Sequence, residues 1–579
     1  MTLSALVDLV AQDPTIAESI GDARSHALTS LDVTMPPALR PMVAAALAGE
    51  RPLLVVCSTY REAEDVSAVL ADILGEDDVA YYPAWETLPH ERLSPRSDTV
   101  GRRLEVLRRL AGNDDRPAPR VIVAPVRSVL QPQVKGLGRL RPVRIAVGDD
   151  HDLTELAERL VGAAYVRVDL VERRGEFAVR GGILDVFPPT EEHPLRIDFF
   201  GDTVEEIHYF AVADQRSDTE IVDHFIAYPC RELLLTPDVR DRAAELISDH
   251  PELAEMLEKI AQGHAVDGME SLSGVLVDGM EMLVELLPDD THVLVADPEL
   301  VRGRAQDLVA TSEEFRAASW SGAAGGGKAP IDLGAAAYQT LADVRALALE
   351  RGLAWWSFSP FAAAPEDADV VRTEDGEVID LSVHDTAGPQ GRQVHAESAT
   401  NWRGDTEAAV ADMRARVADD WRVVVLTEGH GLAARVTELL AEQEIAAVLV
   451  DDLPAAPEPS RVTVTTGAVR HGFVLPEQRL AVYTGVDLAG QRATVDRTNR
   501  KMPARRKNQV NPLELKAGDA VVHDQHGVGR YVEMIQRAVQ GATREYLVIE
   551  YAPSKRNQPG DRLFVPMEQL DLVTRYVGG

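Results

Sequence analysis

The sequence has very little cysteine, and this scarcity excludes two kinds of small-domain scaffold. Cys57 and Cys230 are the only cysteines in 579 residues. Two thiols cannot form a disulfide framework or a four-cysteine zinc site. Each follows an apolar residue, so we expect both to be small core residues.

Long hydrophobic runs are also lacking. No stretch approaches the roughly 20 apolar residues that a membrane-spanning helix needs. The N-terminal segment contains no basic stretch followed by an apolar core, so the sequence predicts no signal peptide. From these two absences we expect a cytoplasmic protein without a membrane partner.

Positive charge is scarce. The chain has 59 Lys and Arg residues against 94 Asp and Glu residues, and its net charge is −35. Proteins that grip DNA usually concentrate Lys and Arg on one face, whereas this chain as a whole is repelled by phosphates. The charge therefore argues against DNA binding as the main activity and leaves protein partners open.

Catalytic motifs are missing from the sequence as well. It has no His-Glu-x-x-His, Gly-x-Ser-x-Gly or Cys-x-x-Cys pattern. Gly322–Lys328 resembles a phosphate loop, but Ala329 replaces the hydroxyl residue and Pro330 follows where a helix should continue. We interpret it as a flexible linker, and we expect no catalytic, cofactor-binding or metal-binding residue. His523 and His526 could reach one metal, although a surface turn is the favoured interpretation.

The strand and helix signals that are present divide the chain into several domains, as its length requires. Before residue 147, buried runs such as Pro52–Cys57 alternate with amphipathic helices, which is typical of a parallel α/β sheet. After it, short β-rich runs separated by Gly and Pro predict an antiparallel sheet with one helix. The predicted segments are a first α/β part (1–146), an α+β insert (147–222), the second part of that α/β domain (223–322), a linker and connecting segment (323–392), a small α/β domain of unknown role (393–488), an exposed basic linker (489–514) and a compact β-rich domain (515–579).

The insert carries a cluster of arginines in an otherwise acidic chain. Arg167, Arg173, Arg174 and Arg180 fall within fourteen residues, with Phe177 between them. On a strand, Arg180 and Phe177 point to opposite faces. Arginine is a frequent hot spot at protein interfaces, but solvated surface arginines around a core phenylalanine fit the pattern equally well.

The last domain is electrically neutral, with eight Lys and Arg and eight Asp and Glu from Lys516 to Gly579. Alternating β-branched and polar residues around tight glycine turns predict a small, strongly bent barrel. Such a barrel can offer an edge strand to a partner. A structural cap is the alternative.

Three groups of motifs together resemble one family. They are Gly175–Pro188 with Leu195–Asp202, which resemble the UvrA-binding module of UvrB and of the transcription-repair coupling factors (Mfd family); Trp85–Glu91, which resembles the coupling factors specifically; and Ala520–Tyr531 with Glu545–Leu547 and Leu563–Pro566, which resemble the RNA-polymerase-interacting domain of the coupling factors and CarD-type regulators. Their order matches the coupling factors and not UvrB. The high Ala, Arg and Asp content suits an actinobacterial member.

The resemblance implies a fold and a UvrA-binding surface. Residues 1–322 are expected to form a degenerate P-loop-type module whose insert docks UvrA. By position, Arg180 matches an arginine of the contact surface and Arg167 is expected to be a second contact, with Arg173 and Arg174 beside them and Phe177 as a weaker candidate. At the expected place of the phosphate loop, Thr34–Pro41 has neither Gly nor Gly-Lys-Thr, so no ATP or magnesium is expected in this chain.

The resemblance also implies a polymerase-binding surface on a Tudor-like barrel. The β subunit of RNA polymerase is expected to pair with a barrel strand through a surface that includes the following residues: Arg530, Tyr531, Met534, Arg537 and Val539. Arg537 stands where some members have a leucine that matters for the contact, which affects the apolar part of the contact but not the strand pairing.

The function that follows is recruitment of UvrA to RNA polymerase stalled at DNA lesions, in transcription-coupled nucleotide excision repair. Family members continue into an ATP-dependent DNA translocase and a domain that covers the UvrA surface. We therefore expect this chain to be truncated or part of a longer product, with its UvrA surface uncovered and DNA contacted only through the missing motor. The rival hypotheses are a complete translocase, disfavoured by the missing phosphate loop, and a UvrB-like DNA-damage-binding module, disfavoured by 5% aromatic residues and the net charge.

Overall fold

A computed structural model gives the fold. It describes residues 3–89, 91, 93–212, 215–324, 336–361, 370–372, 378–380, 390–453, 456–489, 517–523, 527–539, 542–551, 562–566 and 573–575. Over these residues the chain is a multidomain α/β protein with a parallel sheet in its first part and an antiparallel half-barrel sheet in its last. No helix in the described ranges is long and apolar enough to cross a membrane.

The first domain is built on a seven-stranded parallel sheet in the order β19-β1-β16-β15-β2-β4-β3. Its strands are β1 (Ser30–Thr34), β2 (Leu53–Cys57), β3 (Val79–Tyr81), β4 (Val121–Pro125), β15 (His292–Ala296), β16 (Ala354–Ser359) and β19 (Gln390–Gln393). The helices around it are α1 (Ser4–Val10), α2 (Pro14–Ser25), α3 (Arg40–Ala48), α4 (Tyr60–Leu74), α5 (Ser97–Leu110), α6 (Val126–Leu130), α11 (Leu283–Leu286), α12 (Pro298–Ala324) and α13 (Leu341–Glu350). Every residue of β2 and β4 is buried, as expected for a parallel sheet covered on both faces.

Residues 323–392 were predicted to be a linker and connecting segment, but part of this stretch belongs to the first domain. It contributes α13, the central strand β16 and part of β19, and α12 extends to Ala324. Strand β16 pairs with β1 on one side and β15 on the other. The Gly- and Ala-rich stretch before α13 obscured the return of the chain to the first sheet.

The insert is a six-stranded sheet in the order β12-β11-β10-β9-β8-β7. Its elements are α7 (Leu153–Gly162), β7 (Val166–Arg167), β8 (Glu176–Arg180), β9 (Ile183–Val186), β10 (Leu195–Phe200), β11 (Thr203–Phe210) and β12 (Ser217–Ile221). The sheet is antiparallel except that β7 pairs with β8 in parallel, which the sequence did not predict. Helix α7 packs Leu156 and Leu160 on one face of the sheet. The stalk of the insert is a two-stranded sheet of β6 (Val143–Ala146) and β13 (His224–Ala227).

A small helical unit follows the insert. It contains α8 (Pro237–Leu246), α9 (Ala254–Ala261) and α10 (Ser273–Leu276), which share a core around Leu257, Ile260 and Leu272. The short strands β5 (Gln133–Val134) and β14 (Met280–Glu281) pair and tie this unit to the first domain. A separate hairpin pairs β17 (Val370–Arg372) with β18 (Val378–Asp380).

The second α/β domain has a six-stranded sheet in the order β20-β24-β25-β21-β23-β22. Its elements are β20 (Glu397–Ser398), α14 (Thr406–Ala418), β21 (Arg422–Thr427), α15 (His430–Glu442), β22 (Ala447–Leu449), β23 (Val462–Thr466), β24 (Phe473–Leu475), β25 (Leu480–Thr484) and α16 (Gly485–Ala489). One sheet face packs on α14 and α15 through Val423 and Val425. The other face, with Val424 and Leu426, shares one core with helices of the first domain, α1 among them. The two α/β domains are therefore fused by a common core.

The last domain is a five-stranded antiparallel sheet in the order β29-β28-β27-β26-β30. Its strands are β26 (Ala520–His523), β27 (Gly527–Val539), β28 (Ala542–Glu550), β29 (Arg562–Pro566) and β30 (Val573–Arg575). Leu93 of the first domain packs against its core. His523 is buried, and His526 lies outside the described residues, so the alternative of a metal site there stays untested.

Candidate partner-binding surfaces

Arg167 and Arg180 come together on an exposed end of the insert. Arg167 lies in register with Phe177 across the β7–β8 pair, and Arg180 lies at the end of β8, opposite Ile183. Both arginines are exposed, and together with Val168, Asp169 and Val179 they line a shallow depression. The Arg180 guanidinium donates to the backbone carbonyl of Asp169, which orients it along this depression.

Phe177 does not reach that surface. It is 0% exposed and packs in the insert core with Leu184, Leu195 and Ile197. A ring that is closed off by its own sheet and by α7 cannot touch a partner without unfolding the insert. We therefore withdraw Phe177 from the candidate contacts and assign it to the core.

The two remaining arginines of the cluster have different environments. Arg173 is exposed, and its backbone N–H donates to the Glu176 carboxylate at 2.9 Å. Arg174 stacks over the Phe187 ring at 5.0 Å and donates to the carbonyl of Glu191 at 3.0 Å. Burial lowers the pKa of Arg174. Arg174 is therefore part of the packing of the insert, while Arg173 is accessible.

The sequence reading missed an exposed aromatic residue beside this surface. Phe200, at the turn between β10 and β11, is 76% exposed. The neighbouring Phe199 N–H donates to the carbonyl of Gly182 at 2.8 Å, so the β8–β9 turn that follows Arg180 lies next to it. Two consecutive phenylalanines on a strand point to opposite faces, and this was the signal that one of them lies outside the core.

Apolar exposure is concentrated in the insert. Six of the eleven large apolar side chains that are exposed among the described residues belong to it: Val147, Val161, Val166, Leu170, Phe200 and Ile221. Exposed apolar side chains scattered singly are ordinary, whereas a concentration of them marks a contact surface. The insert combines this apolar surface with exposed arginine, the composition that protein interfaces favour.

A buried ion pair fixes the insert on the first domain. The Arg103 guanidinium of α5 lies 2.5 Å from the Glu232 carboxylate, just beyond the stalk, and the two side chains are 0% and 1% exposed. The Trp85 indole N–H donates to the same carboxylate at 3.1 Å. Arg103 also donates to the carbonyl of Pro83 at 2.9 Å. This network explains the Trp85 motif as a structural element that holds the insert in one orientation.

The barrel presents a strand with an unpaired segment. Strand β27 pairs with β28 from Arg530 to Val539, but β26 covers only Gly527–Arg530 on its other side. Among the described residues, Met534–Val539 therefore has a partner on one side only. The backbone N–H and C=O groups on the other edge of this segment can form hydrogen bonds with a strand from another protein.

The predicted polymerase contacts are distributed unevenly on this strand. Arg530 is exposed and Met534 is half-buried, whereas Tyr531 is 8% exposed and packs in the barrel core. The burial of Tyr531 removes it from the candidate contacts. The side chains of Arg537 and Val539 lie outside the described residues, although the backbone of both pairs with β28.

The expected place of a phosphate loop lies between β1 and α3. The chain there passes through Pro36 and Pro37, which have no N–H to offer a phosphate. Arg40, which follows these prolines, is buried with its guanidinium 3.7 Å from the Asp297 carboxylate, and burial lowers its pKa. Within the described ranges, no group of three or more His, Cys, Asp and Glu side chains is placed to hold a metal ion.

Comparison with known protein families matches three parts of the chain. The UvrB interaction domain matches residues 143–233, the MFD D3 domain matches 419–488, and the CarD-like/TRCF RID domain matches 515–577. The first match is wider at both ends than the predicted insert because it includes β6 and β13 of the stalk. The second falls on the α/β domain whose role the sequence left unknown.

Comparison with individual proteins gives a consistent result over the full chain. A transcription-repair-coupling factor of Mycobacterium bovis is 45% identical over 599 residues, covering 100% of this chain and 46% of that protein. Those of Bacillus subtilis and Escherichia coli K12 are 26% and 28% identical, over 93% and 86% of this chain and 44% and 40% of their own. The chain thus spans less than half the length of these relatives. It belongs to the family of transcription-repair-coupling factors and corresponds to the N-terminal part of its members.

Proposed function

We propose that this chain joins the excision-repair protein UvrA to RNA polymerase, so that repair is directed to polymerase stalled at DNA lesions. The observation that carries the proposal is the presence of two separate exposed surfaces, an arginine-rich sheet end on the insert and an unpaired strand segment on the barrel. Each surface lies in a region matched by the corresponding interaction domain. A protein that works in this way acts in the cytoplasm.

We assign UvrA to the sheet end formed by Arg167, Arg173 and Arg180, with Phe200 as an added apolar contact. Arginine pairs with carboxylates through two parallel hydrogen bonds, and an exposed aromatic side chain supplies an anchor for a partner pocket. The buried Arg103–Glu232 pair holds the stalk, so this surface is presented with little loss of entropy on binding.

The first prediction tests this assignment by calorimetry with purified UvrA. Arg180→Ala is expected to weaken binding by about 2 kcal/mol or more, because it removes an interfacial arginine hot spot. Phe200→Ala is expected to weaken it as well. Arg414→Ala, at an exposed arginine of the second α/β domain, is the matched control and should bind like the parent. If the folded parent fails to bind UvrA, or if Arg180→Ala binds equally well, the assignment is wrong.

We assign the β subunit of RNA polymerase to the free edge of β27. Backbone pairing along Met534–Val539 supplies the contact, and this pairing does not depend on side-chain identity. From the resemblance to the family, we expect Arg537 to stand where some members have a contacting leucine. The strand can therefore pair while the apolar part of the contact is weaker than in those members.

The second prediction follows from that difference. Arg537→Leu is expected to tighten binding to RNA polymerase about fivefold, since partial burial of a leucine contributes about 1 kcal/mol. Arg562→Leu is the matched control, because Arg562 lies on β29 and pairs with Glu550 at 3.0 Å. Affinity can be measured by surface plasmon resonance on immobilised polymerase. Equal changes for the two variants, or weaker binding of Arg537→Leu, would contradict the assignment.

We further propose that the first domain is a P-loop ATPase fold without its loop, and that the barrel is Tudor-like. The strand–turn–helix of β1 and α3 occupies the position of a phosphate loop, but its prolines and the buried Arg40 leave no cradle for phosphate. We expect no ATP or magnesium to bind this part of the family's chain. The resemblance implies a DNA translocase in the longer family members, and we expect that motor and its DNA contact in other parts of those proteins.

A further inference from the structure

A groove at the base of the insert has a charge opposite to that of the chain. It forms where the end of α5, the 3₁₀ turn Leu137–Arg139 and β6 meet. Its charged lining consists of Arg108, Asp114, Asp115, Arg139, Arg141 and Arg144. Residues 102–144 contain eleven Lys and Arg and three Asp and Glu, in a chain whose net charge is −35. The groove is thus a local basic surface on an acidic protein.

Three of these arginines face solvent because the apolar residues on either side of them pack into the core. Leu137, Val143 and Ile145 are buried, so the residues between them are left on the surface. Arg139, Arg141 and Arg144 are all exposed. The turn is held against α5 at Gly138, where an added Cβ would lie 2.6 Å from the carbonyl of Leu107. The three guanidinium groups are therefore carried by a backbone that is fixed in place.

Two of the four arginines that line the groove make no pair with the described part of the protein, and a third makes only an exposed one. Arg139 and Arg141 have neither an ion pair nor a side-chain hydrogen bond with any described residue. Arg144 lies 3.7 Å from Asp115, and both side chains are more than half exposed. Asp114, by contrast, is buried and accepts a hydrogen bond from the Tyr228 hydroxyl at 2.8 Å. Its charge is further compensated by Arg108 at 3.9 Å and Arg116 at 3.7 Å.

The shape and chemistry of the groove select a linear polyanion. An extended run from Arg139 to Arg144 spans about 16 Å, the axial rise of about five base pairs of duplex. Guanidinium groups match phosphate oxygens in pairs. The lining has no aromatic ring on which a base could stack, and its apolar members are only Pro142 and Ile226. Single-stranded nucleic acid and apolar peptide anchors therefore have little to bind.

We infer that this groove binds the phosphate backbone of double-stranded DNA without reading its sequence. The contact is additional to UvrA and RNA polymerase binding. It would place the duplex at the base of the insert, while the acidic remainder of the chain repels DNA and restricts the approach to this groove. The net charge therefore repels DNA from the chain as a whole but not from this surface.

Fluorescence anisotropy of a labelled duplex, titrated with the full chain at several salt concentrations, tests the inference. The variant Arg139→Gln/Arg141→Gln/Arg144→Gln removes three phosphate contacts while keeping the side-chain length. The slope of log K against log salt is expected to fall by about 2.7. A fourfold rise in salt should therefore cost the parent about fortyfold more affinity than it costs the variant. Arg403→Gln/Arg414→Gln/Arg435→Gln, at exposed arginines of the second α/β domain, makes the same change in net charge and should leave the slope unchanged.

Three outcomes would overturn the inference. The parent could fail to bind the duplex at low salt, or the two triple variants could reduce the slope equally. Polyglutamate of the same total charge could also displace the duplex as well as unlabelled duplex does, which would make the groove a site for acidic protein segments. Circular dichroism of each variant separates loss of the site from loss of the fold.

Discussion

Replacing Glu232 with alanine is expected to lower the free energy of unfolding by about 3–5 kcal/mol, because it leaves the Arg103 guanidinium charged and uncompensated in the interior. Arg103 has 0% exposure, and solvent cannot replace the lost carboxylate. Its remaining partners are the carbonyl of Pro83 at 2.9 Å, the side-chain carbonyl of Gln133 at 3.3 Å and the Tyr82 ring, whose centroid is 4.4 Å away. None of these neutralises the charge.

A double variant separates the cost of the orphaned charge from the value of the pair. Arg103→Leu/Glu232→Leu is expected to be less destabilised than either single variant, since no buried charge remains. The free energy of unfolding can be measured by urea titration with tryptophan fluorescence. This signal reports on the ion pair because the Trp85 indole donates a hydrogen bond to Glu232. Glu50→Ala, which breaks the exposed pair with Arg24, is the control and should change little. A double variant as unstable as the sum of the two single variants would show that the network stabilises by packing and hydrogen bonding rather than by charge compensation.

Acidification is expected to destabilise the first domain through His292. This side chain is 0% exposed and lies edge-on to the Trp356 ring, with centroids 4.9 Å apart. Burial lowers the pKa of His292 from its ordinary value of 6.5 to about 4. As pH falls through 6.5, His292 becomes protonated in the unfolded chain, whereas in the folded chain it stays neutral down to about pH 4. The loss of stability across this window is about 3 kcal/mol, and none is expected above it.

His292→Leu isolates this contribution from all other titrating groups. The difference in stability between the variant and the parent should shift by about 3 kcal/mol in favour of the variant between pH 7 and pH 4. Hydrogen exchange of the β15 amides measures opening of the sheet that holds His292. The same substitution at His430, whose side chain is 72% exposed, is the control. A pH-independent difference between the parent and His292→Leu would mean that the protonated ring is stabilised in the folded protein by a hydrogen-bond acceptor, so that its pKa is not lowered.

The insert shows how far a strand pattern can predict a binding surface. Alternation on β8 predicted that Arg180 and Phe177 point to opposite faces, and in the structure Arg180 is exposed and Phe177 is buried. The pattern could not decide between a contact and a core role for Phe177, because a helix packs on that face from elsewhere in the chain. The contact residues themselves remain predictions. Phe200 was not among them because the strand that contains it was identified only as part of a motif, without assigning its residues to faces.

The elements that the sequence did not reveal are those defined by their neighbours. Strand β16 is largely buried on both faces and contains two serines, so its residues do not show the apolar–polar alternation that identifies a strand. Strand β1 contains Asp32, whose carboxylate accepts a hydrogen bond from Ser359 of β16 at 2.7 Å. In the sequence alone, an aspartate such as Asp32 indicates a turn, because the strand that supplies its hydrogen-bond donor is not known. Likewise, amphipathic periodicity predicts which face of the second α/β domain is buried, but not that the first domain covers it.

The shared core has a consequence for how the chain is made. Leu3, which precedes α1, and Leu6 of α1 pack in the same core as Val424 and Phe473, and Leu6 precedes Val424 by 418 residues. At about 5–20 residues per second, the ribosome synthesises the partner sheet about 20–80 s after α1. Until then, the face of α1 that this sheet covers stays exposed, and a helix of 7 residues has little stability of its own. The nascent chain, rather than the finished protein, is therefore the form in which this N-terminus is most accessible to chaperones and proteases.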